Sequence, residues 1–242
     1  MKNDLRTALR KKRGIISPLR RSRDSRKIAL HILNSTELNL GNRLGLYFAL
    51  KHEVNTKMLI NAFLNLGKKI FLPVIEKEEI FFAQYDPRIT SITENRYGIG
   101  EPSKEDTKMV PPASLDTVFF PIVGFNSNFY RIGMGGGFYD RSFKDLEENS
   151  PTRIGLAFSF QKVTFEPERH DIPLFAICTE DGITIRKRAC SLLQTATPSP
   201  YQPRYWRTVG MEIIDLYIKR PAPFGIITVV SARSPILPTT CT

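Results

Sequence analysis

The chain has 242 residues, of which 41% are hydrophobic, and its formal net charge at pH 7 is +11. This length suits one large domain or two small ones. The longest apolar runs, such as VFFPIVGF, are shorter than the roughly 20 residues of a membrane-spanning helix, so we expect no membrane segment. The charged N-terminus lacks the apolar part of a secretory signal, and the three cysteines are widely spaced, so we expect a cytoplasmic protein.

The positive charge is concentrated at the two ends of the chain. Residues 1–27 contain eleven Lys or Arg and two Asp, and residues 186–242 contain eight basic and two acidic residues, whereas the middle contains 16 basic and 20 acidic ones. A nucleic-acid-binding domain has a basic face on its folded body, so we expect no nucleic-acid partner. A mitochondrial targeting peptide is an alternative interpretation of residues 1–27, although Asp4 and Asp24 weaken it.

The hydrophobic pattern predicts helices that alternate with strands. Residues 2–13 form a basic helix with Lys2 and Arg6 one turn apart, and Ser17 with Pro18 starts a second helix. Further predicted elements are strands at 43–50, 69–75, 79–85, 116–125, 152–160 and 172–180, and helices at 55–67 and 139–149. Helices between nearly continuous apolar strands indicate an α/β fold with a mainly parallel sheet covered on both faces.

The end of the chain has a different composition. Residues 186–242 are rich in Pro and Thr and have no sustained periodicity. We therefore divide the chain into a domain at 1–185 and an atypical basic extension at 186–242. We interpret the extension as loosely ordered, with a small additional subdomain as the alternative.

The segment RIGMGGGFYDRS, residues 131–142, contains four glycines between an arginine and an aspartate. It lacks the last glycine of the dinucleotide fingerprint and the Gly-Lys of a P-loop. A bare backbone before a helix can nevertheless direct N–H groups at an anion. Arg131 could hold a phosphate with its forked donors, and Asp140 suits Mg²⁺. On composition alone, a flexible turn with a helix-capping aspartate is an equally good interpretation.

This glycine segment resembles the signature of the 5-formyltetrahydrofolate cyclo-ligase family, also called 5,10-methenyltetrahydrofolate synthetase. Six other segments resemble that family in the same order: KNDLR, YFALKHEVNT, YGIGEPS, DTVFFPIVGFN, GLAFSFQ and HDIPLFAICTE. The resemblance covers roughly residues 1–183. It implies a three-layer α/β/α sandwich of the NagB/RpiA/CoA transferase-like type. Family members usually end near the last segment, so the extension is either lineage-specific or the product of an altered reading frame near Arg186.

The resemblance also implies an activity, a set of ligands and a set of site residues. The activity is conversion of 5-formyltetrahydrofolate and MgATP into 5,10-methenyltetrahydrofolate, ADP and phosphate, by an enzyme that we expect to be a monomer. The implied ATP-binding residues are Lys2, Arg6, Arg131, Ile132, Gly133, Met134, Gly135, Gly136, Gly137, Phe138 and Tyr139. Arg131 and Asp140 are implied to be catalytic, and Asp140 and Asp171 to hold Mg²⁺. The implied folate-binding residues are Phe48, Glu53, Met134, Gly136 and Phe138.

Each of these residues also has an ordinary structural interpretation. Lys2 and Arg6 could lie on a solvated helix, Phe48 and Tyr139 could belong to the core, and Asp171 could start a strand. We interpret His170 as a neighbour of the metal ligand rather than an acid or base. At the level of function, the alternative is a non-catalytic domain of similar architecture that binds a nucleotide or a phosphosugar, because fold alone does not fix chemistry.

Overall fold

The computed structural model describes residues 2–104, 107–147 and 150–187. The helices are α1 (Lys2–Ile15), α2 (Pro18–Leu33), α3 (Lys57–Asn65) and α4 (Phe138–Phe143). The strands are β1 (Arg43–Gly45), β2 (Lys69–Glu76), β3 (Glu79–Tyr85), β4 (Ile92–Glu94), β5 (Gly100–Pro102), β6 (Met109–Val110), β7 (Thr117–Pro121), β8 (Gly124–Phe125), β9 (Arg131–Ile132), β10 (Thr152–Leu156), β11 (Ala176–Thr179) and β12 (Gly182–Ile185). The predicted extension lies, except for its first two residues, outside the described residues.

The main sheet has eight strands in the order β12-β11-β10-β7-β1-β2-β3-β6. The five strands from β11 to β2 run parallel to one another, and the antiparallel strands β12, β3 and β6 lie at the two edges. Parallel strands need crossover connections, which explains why helices separate them in the chain. The predicted mainly parallel α/β sheet is therefore confirmed.

Two hydrophobic clusters cover the two faces of this sheet. On one face, Phe119 of β7 stacks on Phe63 of α3 with ring centroids 6.0 Å apart. On the other face, its neighbour Phe120 packs edge-on against Phe143 of α4 at 5.1 Å. Successive residues of a strand point to opposite faces, so this apolar pair on one strand contributes to both cores. The layers are thus helix, sheet and helix, as predicted.

Several predicted elements are longer than the observed ones, and all of them end early near the candidate site. The strand predicted at 116–125 ends at Pro121, and the helix predicted at 139–149 ends at Phe143. The strands predicted at 43–50, 152–160 and 172–180 shorten to β1, β10 and β11. Beyond β7, Gln161 donates from Nε2 to the carbonyl oxygens of Ile122 and Val123, at 2.7 and 2.8 Å. A side chain therefore satisfies backbone groups that the apolar pattern assigned to a strand.

Helix α1 packs against the end of β7 rather than along the sheet. Its Leu9 is buried in a third cluster with Val123, Ile132 and Phe165. A Cβ added to Gly124 would lie 2.6 Å from Cδ1 of Leu9, so the close approach of α1 requires glycine at that position. Among the described helices, none has the length and apolar character that crossing a bilayer requires.

Candidate active site

The glycine segment forms a tight loop between β9 and α4. Gly135 and Gly137 have φ values of +105° and +66°, in the region that favours glycine, and Gly137 is the residue before the first turn of α4. A Cβ at Gly136 would lie 2.6 Å from the Phe138 ring. Glycine is therefore required by conformation at two positions of the loop and by the packing of Phe138 at a third.

Arg131 and Asp140, predicted separately as a phosphate clamp and a metal ligand, form an ion pair at the two ends of this loop. Nη2 of Arg131 lies 3.1 Å from Oδ1 of Asp140, and the arginine side chain is only 4% exposed. The guanidinium also stacks over Phe120, 4.9 Å from the ring centroid, and donates to the carbonyl of Ile172 at 3.3 Å. The pair thus fixes both ends of the loop to the core.

The N-terminal helix brings two further cations to the loop. Nε of Arg6 donates to the carbonyl oxygen of Gly133 at 2.8 Å, and a Cβ on Gly135 would lie 3.5 Å from Cζ of Arg6. Lys2, one turn earlier on the same helix face, contacts the carboxylate of Asp171 and lies 3.4 Å from Glu168. Both lysine and arginine therefore lie beside the glycine segment or the second predicted metal ligand.

Carboxylates gather next to this region. Asp140 accepts a hydrogen bond from the backbone N–H of Ile172 at 3.3 Å, which places it beside the residue that follows Asp171. One ligand atom each from Glu168, His170 and Asp171 lie within 4.8 Å of one another. Glu168 was not predicted from the sequence. Its only sequence signal is its position three residues before Asp171, whose Oδ2 accepts from the Glu168 N–H at 2.6 Å.

The residues predicted for folate lie in a more buried part of the structure. Glu53 is 6% exposed, accepts from the backbone N–H of Leu50 at 3.0 Å, and has Arg13 4.0 Å away. Burial raises the pKa of Glu53, while the Leu50 hydrogen bond and the Arg13 charge act in the opposite direction. Phe48 is half-buried and packs edge-on against Tyr85 at 5.4 Å, so part of its surface belongs to the core.

Loop side chains connect the two parts of the site. Met134 is 43% exposed, and its sulfur lies 3.9 Å from Nη2 of Arg13. Phe138 packs edge-on against Tyr97, which the β4–β5 hairpin brings to the loop at 5.7 Å. Ile132 is buried in the third cluster, so a contact from this residue to a ligand would involve its backbone. The sequence did not predict Arg13 or Tyr97 as site residues.

Burial also affects two tyrosines near Glu53. It raises the pKa of Tyr47 well above its usual value, and it raises the pKa of Tyr139. The negative charge of Glu53 acts in the same direction on both phenols. Both hydroxyls therefore stay neutral at physiological pH, and Tyr139, predicted to line the nucleotide site, also packs on Phe120 at 4.7 Å.

Comparison with known proteins agrees with the predicted resemblance. A sequence profile described as the 5-formyltetrahydrofolate cyclo-ligase family matches residues 1–180. The chain is 34% identical over 180 residues to the 5-formyltetrahydrofolate cyclo-ligase of Haemophilus influenzae, covering 73% of this chain and 96% of that protein. It is 28% identical over 179 residues to the protein of that name from Escherichia coli K12, with coverage of 72% and 98%.

Solved structures give the same result. The NMR structure of Aquifex aeolicus 5,10-methenyltetrahydrofolate synthetase matches with a TM-score of 0.70 at 28% identity, covering 80% of this chain and 97% of that one. The Mycoplasma pneumoniae 5,10-methenyltetrahydrofolate synthetase matches with a TM-score of 0.60 at 28% identity, covering 74% and 98%. With the profile match over most of the chain, these likenesses establish that the chain belongs to the 5-formyltetrahydrofolate cyclo-ligase family.

Proposed function

We propose that this protein converts 5-formyltetrahydrofolate to 5,10-methenyltetrahydrofolate, with ATP as co-substrate and Mg²⁺ bound. Family membership and the names of its relatives support the folate reaction. The structural observation on which the proposal depends is the convergence of Lys2, Arg6 and Arg131 on one glycine loop. Phosphoryl transfer requires such positioning and charge stabilisation more than it requires a protein nucleophile.

The nucleotide is assigned to the glycine loop and the face of α1 beside it. Residues 132–137 offer backbone groups without large side chains except those of Ile132 and Met134, and Arg6 already contacts the loop at Gly133. Lys2 and Arg6 are the cations that would neutralise the triphosphate, while Arg131 holds the ends of the loop. The loop from Ile132 to Tyr139 would then lie along the phosphates.

The donor chemistry of Asp140 and Asp171 fits Mg²⁺, because both supply carboxylate oxygens and neither is fully buried. Each is neutralised in this structure by a neighbouring cation, Arg131 or Lys2. Asp140 and Asp171 are thus the residues that would hold the ion. When bound there, Mg²⁺ would offset negative charge on the phosphate oxygens.

The reaction needs an activated amide. The formyl oxygen attacks the γ-phosphorus of ATP, the bond from that phosphorus to the β,γ-bridging oxygen breaks, and ADP leaves. The nitrogen at position 10 of the folate then attacks the activated formyl carbon and loses its proton, and the bond from carbon to the phosphorylated oxygen breaks. Phosphate departs and the methenyl bridge closes the five-membered ring. No covalent bond to the protein forms, so a Ser-His-Asp or Cys-His constellation is not required.

The folate is assigned to the buried side of the same loop. Glu53 is suited to accept hydrogen bonds from pterin N–H groups, since its carboxylate is fixed by Leu50 and lies beside Arg13. Phe48 offers a half-buried ring for packing on the pterin. Met134, Gly136 and Phe138 belong to the loop that would also hold the nucleotide, so the formyl group and the γ-phosphate would meet there.

The direct test follows methenyl product by its absorbance, with purified protein, 5-formyltetrahydrofolate and MgATP. We expect product formation that requires all three components, with ADP released in equal amount. A parallel measurement of ATP hydrolysis without folate separates the alternative function. A protein that binds ATP but forms no methenyl product, and hydrolyses no ATP when folate is added, would be the non-catalytic nucleotide-binding domain.

A further inference from the structure

Arg13 is a buried cation that sits between the two parts of the proposed site. It is 5% exposed, and its guanidinium contacts three different segments of the chain. Nη1 donates to the carbonyl oxygen of Ile122 at 3.2 Å and lies 4.0 Å from Oε1 of Glu53, and Nη2 lies 3.9 Å from the sulfur of Met134. It thus connects the end of β7, the folate-facing carboxylate and the glycine loop.

The hydrogen bonding of this guanidinium is incomplete. Its Nε is buried and has no hydrogen-bond partner in the structure, and its contacts with Met134 and Glu53 are long. Leaving a buried donor unpaired costs free energy, and a buried charge is retained only when a counter-charge compensates for its desolvation. A purely structural arginine would be expected to have its donors satisfied. Arg13 instead lies against the Glu53 carboxylate with donor capacity to spare.

The position of Arg13 on α1 supports a role in the site. Lys2, Arg6, Leu9 and Arg13 follow the spacing of one helix face, on which residues three and four apart are neighbours. The first two contact Asp171 and Gly133, and Leu9 anchors the face against Gly124. The same face that carries the proposed nucleotide cations therefore ends, two turns further on, beside Glu53.

We infer that Arg13 is a positioning residue for the folate: its charge keeps Glu53 ionised in its buried position and holds it facing the glycine loop. This inference rests on the proposed function, in which Glu53 accepts hydrogen bonds from the pterin. A protonated Glu53 would present a hydroxyl where an acceptor is needed, so binding of the pterin depends on the ionised form. Arg13 would act through Glu53 and would not contact the reacting atoms.

The electrostatic surroundings of Glu53 fit this role. The groups facing it are Arg13 from α1, Tyr47 at the end of β1 and Tyr139 from α4. Both phenols are neutral, because burial raises their pKa values. Among the described residues, Arg13 is the cation that the structure pairs with Glu53, while Arg131 is paired with Asp140. Burial raises the pKa of Glu53, so removing the Arg13 charge would raise it further.

The test compares Arg13→Gln, which keeps hydrogen-bonding capacity but removes the charge, with Arg13→Lys, which keeps the charge. Lys11→Gln is the matched control, because Lys11 is an exposed cation on the same helix. The measured quantity is kcat/KM for 5-formyltetrahydrofolate at saturating MgATP, as a function of pH. Its dependence on pH reports groups of the free enzyme and free substrate, and the substrate contribution is the same for every variant.

Glu53 must lose its proton to bind, so kcat/KM for folate falls as the pH drops through the pKa of Glu53. In Arg13→Gln we expect this acid limb to move to higher pH by about one unit or more, as expected when an opposite charge within contact distance is removed. On the acid limb that shift is roughly a tenfold loss for each unit. The KM for ATP should change much less. Arg13→Lys should restore the acid limb of the unmodified protein, and Lys11→Gln should match that protein throughout.

The outcomes separate the two proposals. An unmodified protein that forms no methenyl product overturns the proposed function itself. An active protein in which Arg13→Gln and Arg13→Lys raise KM equally, without moving the acid limb, assigns Arg13 a structural role only and overturns the inference. If Arg13→Gln does not fold, Arg13→Lys decides: a retained acid limb supports the role of charge, and a shifted limb in a variant that retains the charge contradicts it.

Discussion

The two halves of the proposed site handle charge in opposite ways. On the nucleotide side, Lys2 and Asp140 have side chains that are 15% and 22% exposed, and backbone groups of the glycine loop dominate the surface. On the folate side, Arg13 and Glu53 are almost completely buried. Charges that remain in contact with water are screened and can exchange partners when a triphosphate arrives, whereas buried charges are costly to leave unpaired. The nucleotide side is thus built to accept a highly charged ligand, and the folate side to hold one carboxylate in one state.

The largest expected effect tests the nucleotide side. Asp140→Asn keeps the size of the side chain and an acceptor for the Ile172 N–H, but removes the charge that pairs with Arg131. We expect turnover to fall by about a hundredfold or more, the magnitude seen when a preorganised electrostatic group is lost. The measurement is kcat for methenyl formation, with folding checked by circular dichroism.

Asp145→Asn is the matched control for Asp140→Asn, because Asp145 lies just beyond α4 and its side chain is 85% exposed. It should retain full turnover. Turnover in Asp140→Asn equal to that of this control would remove the catalytic and metal-binding assignment of Asp140.

A second change should affect both halves together, because α1 contributes cations to each. Gly124→Ala places a Cβ 2.6 Å from Cδ1 of Leu9 and would push α1 away from the end of β7. Overpacking of this kind costs about 1–3 kcal/mol of unfolding free energy. Denaturant unfolding should show the loss, and the KM values for ATP and folate should both rise.

The paired substitution Leu9→Ala with Gly124→Ala removes the clash and should recover part of the KM loss. Gly14→Ala is the contrasting control, since nothing lies within 4 Å of a Cβ there and it is a helix residue. It should stabilise the protein by roughly 0.5–1 kcal/mol. A rise in only one of the two KM values in Gly124→Ala would show that α1 does not link the halves.

The smallest expected effect concerns screening. Arg6→Met removes a partly exposed cation that contacts Gly133, so we expect the KM for ATP to rise several-fold at low ionic strength. Because the Debye length falls from about 10 Å at 0.1 M salt to about 3 Å at 1 M, the difference from the unmodified protein should narrow as salt is added. Arg10→Met, at an exposed position of the same helix, provides the comparison. An Arg6→Met defect that is independent of salt would place this cation with the buried group instead.

The local parts of the site could be predicted from the sequence. The glycine loop has its own signal, because the need for bare backbone appears as consecutive glycines at 135–137. The i, i+4 spacing of Lys2 and Arg6 is likewise visible, since a helix face follows from short-range periodicity. The alternation of apolar segments predicted the mainly parallel sheet for the same reason.

The parts that depend on distant contacts could not be predicted. Arg13 is the last of four consecutive basic residues, and nothing local separates it from its exposed neighbours. Its burial depends on Ile122, which is 109 positions away. The ends of β7 and β10 were also misplaced, because the apolar pattern continues past the point where Gln161 takes over the backbone carbonyls. Hydrophobic periodicity reports burial and does not report which group a backbone oxygen accepts from.

The contacts of α1 have a consequence for the order in which the site forms during synthesis. This helix leaves the ribosome first, yet its partners at Ile122, Gly133 and Asp171 lie 109, 127 and 169 positions later in the chain. A nascent chain of even 150 residues would hold an amphipathic cationic helix whose carboxylate partner had not yet been translated. Assembly of the catalytic apparatus must therefore wait for the loop before β11, so truncated products would bear the cations of the site without its function.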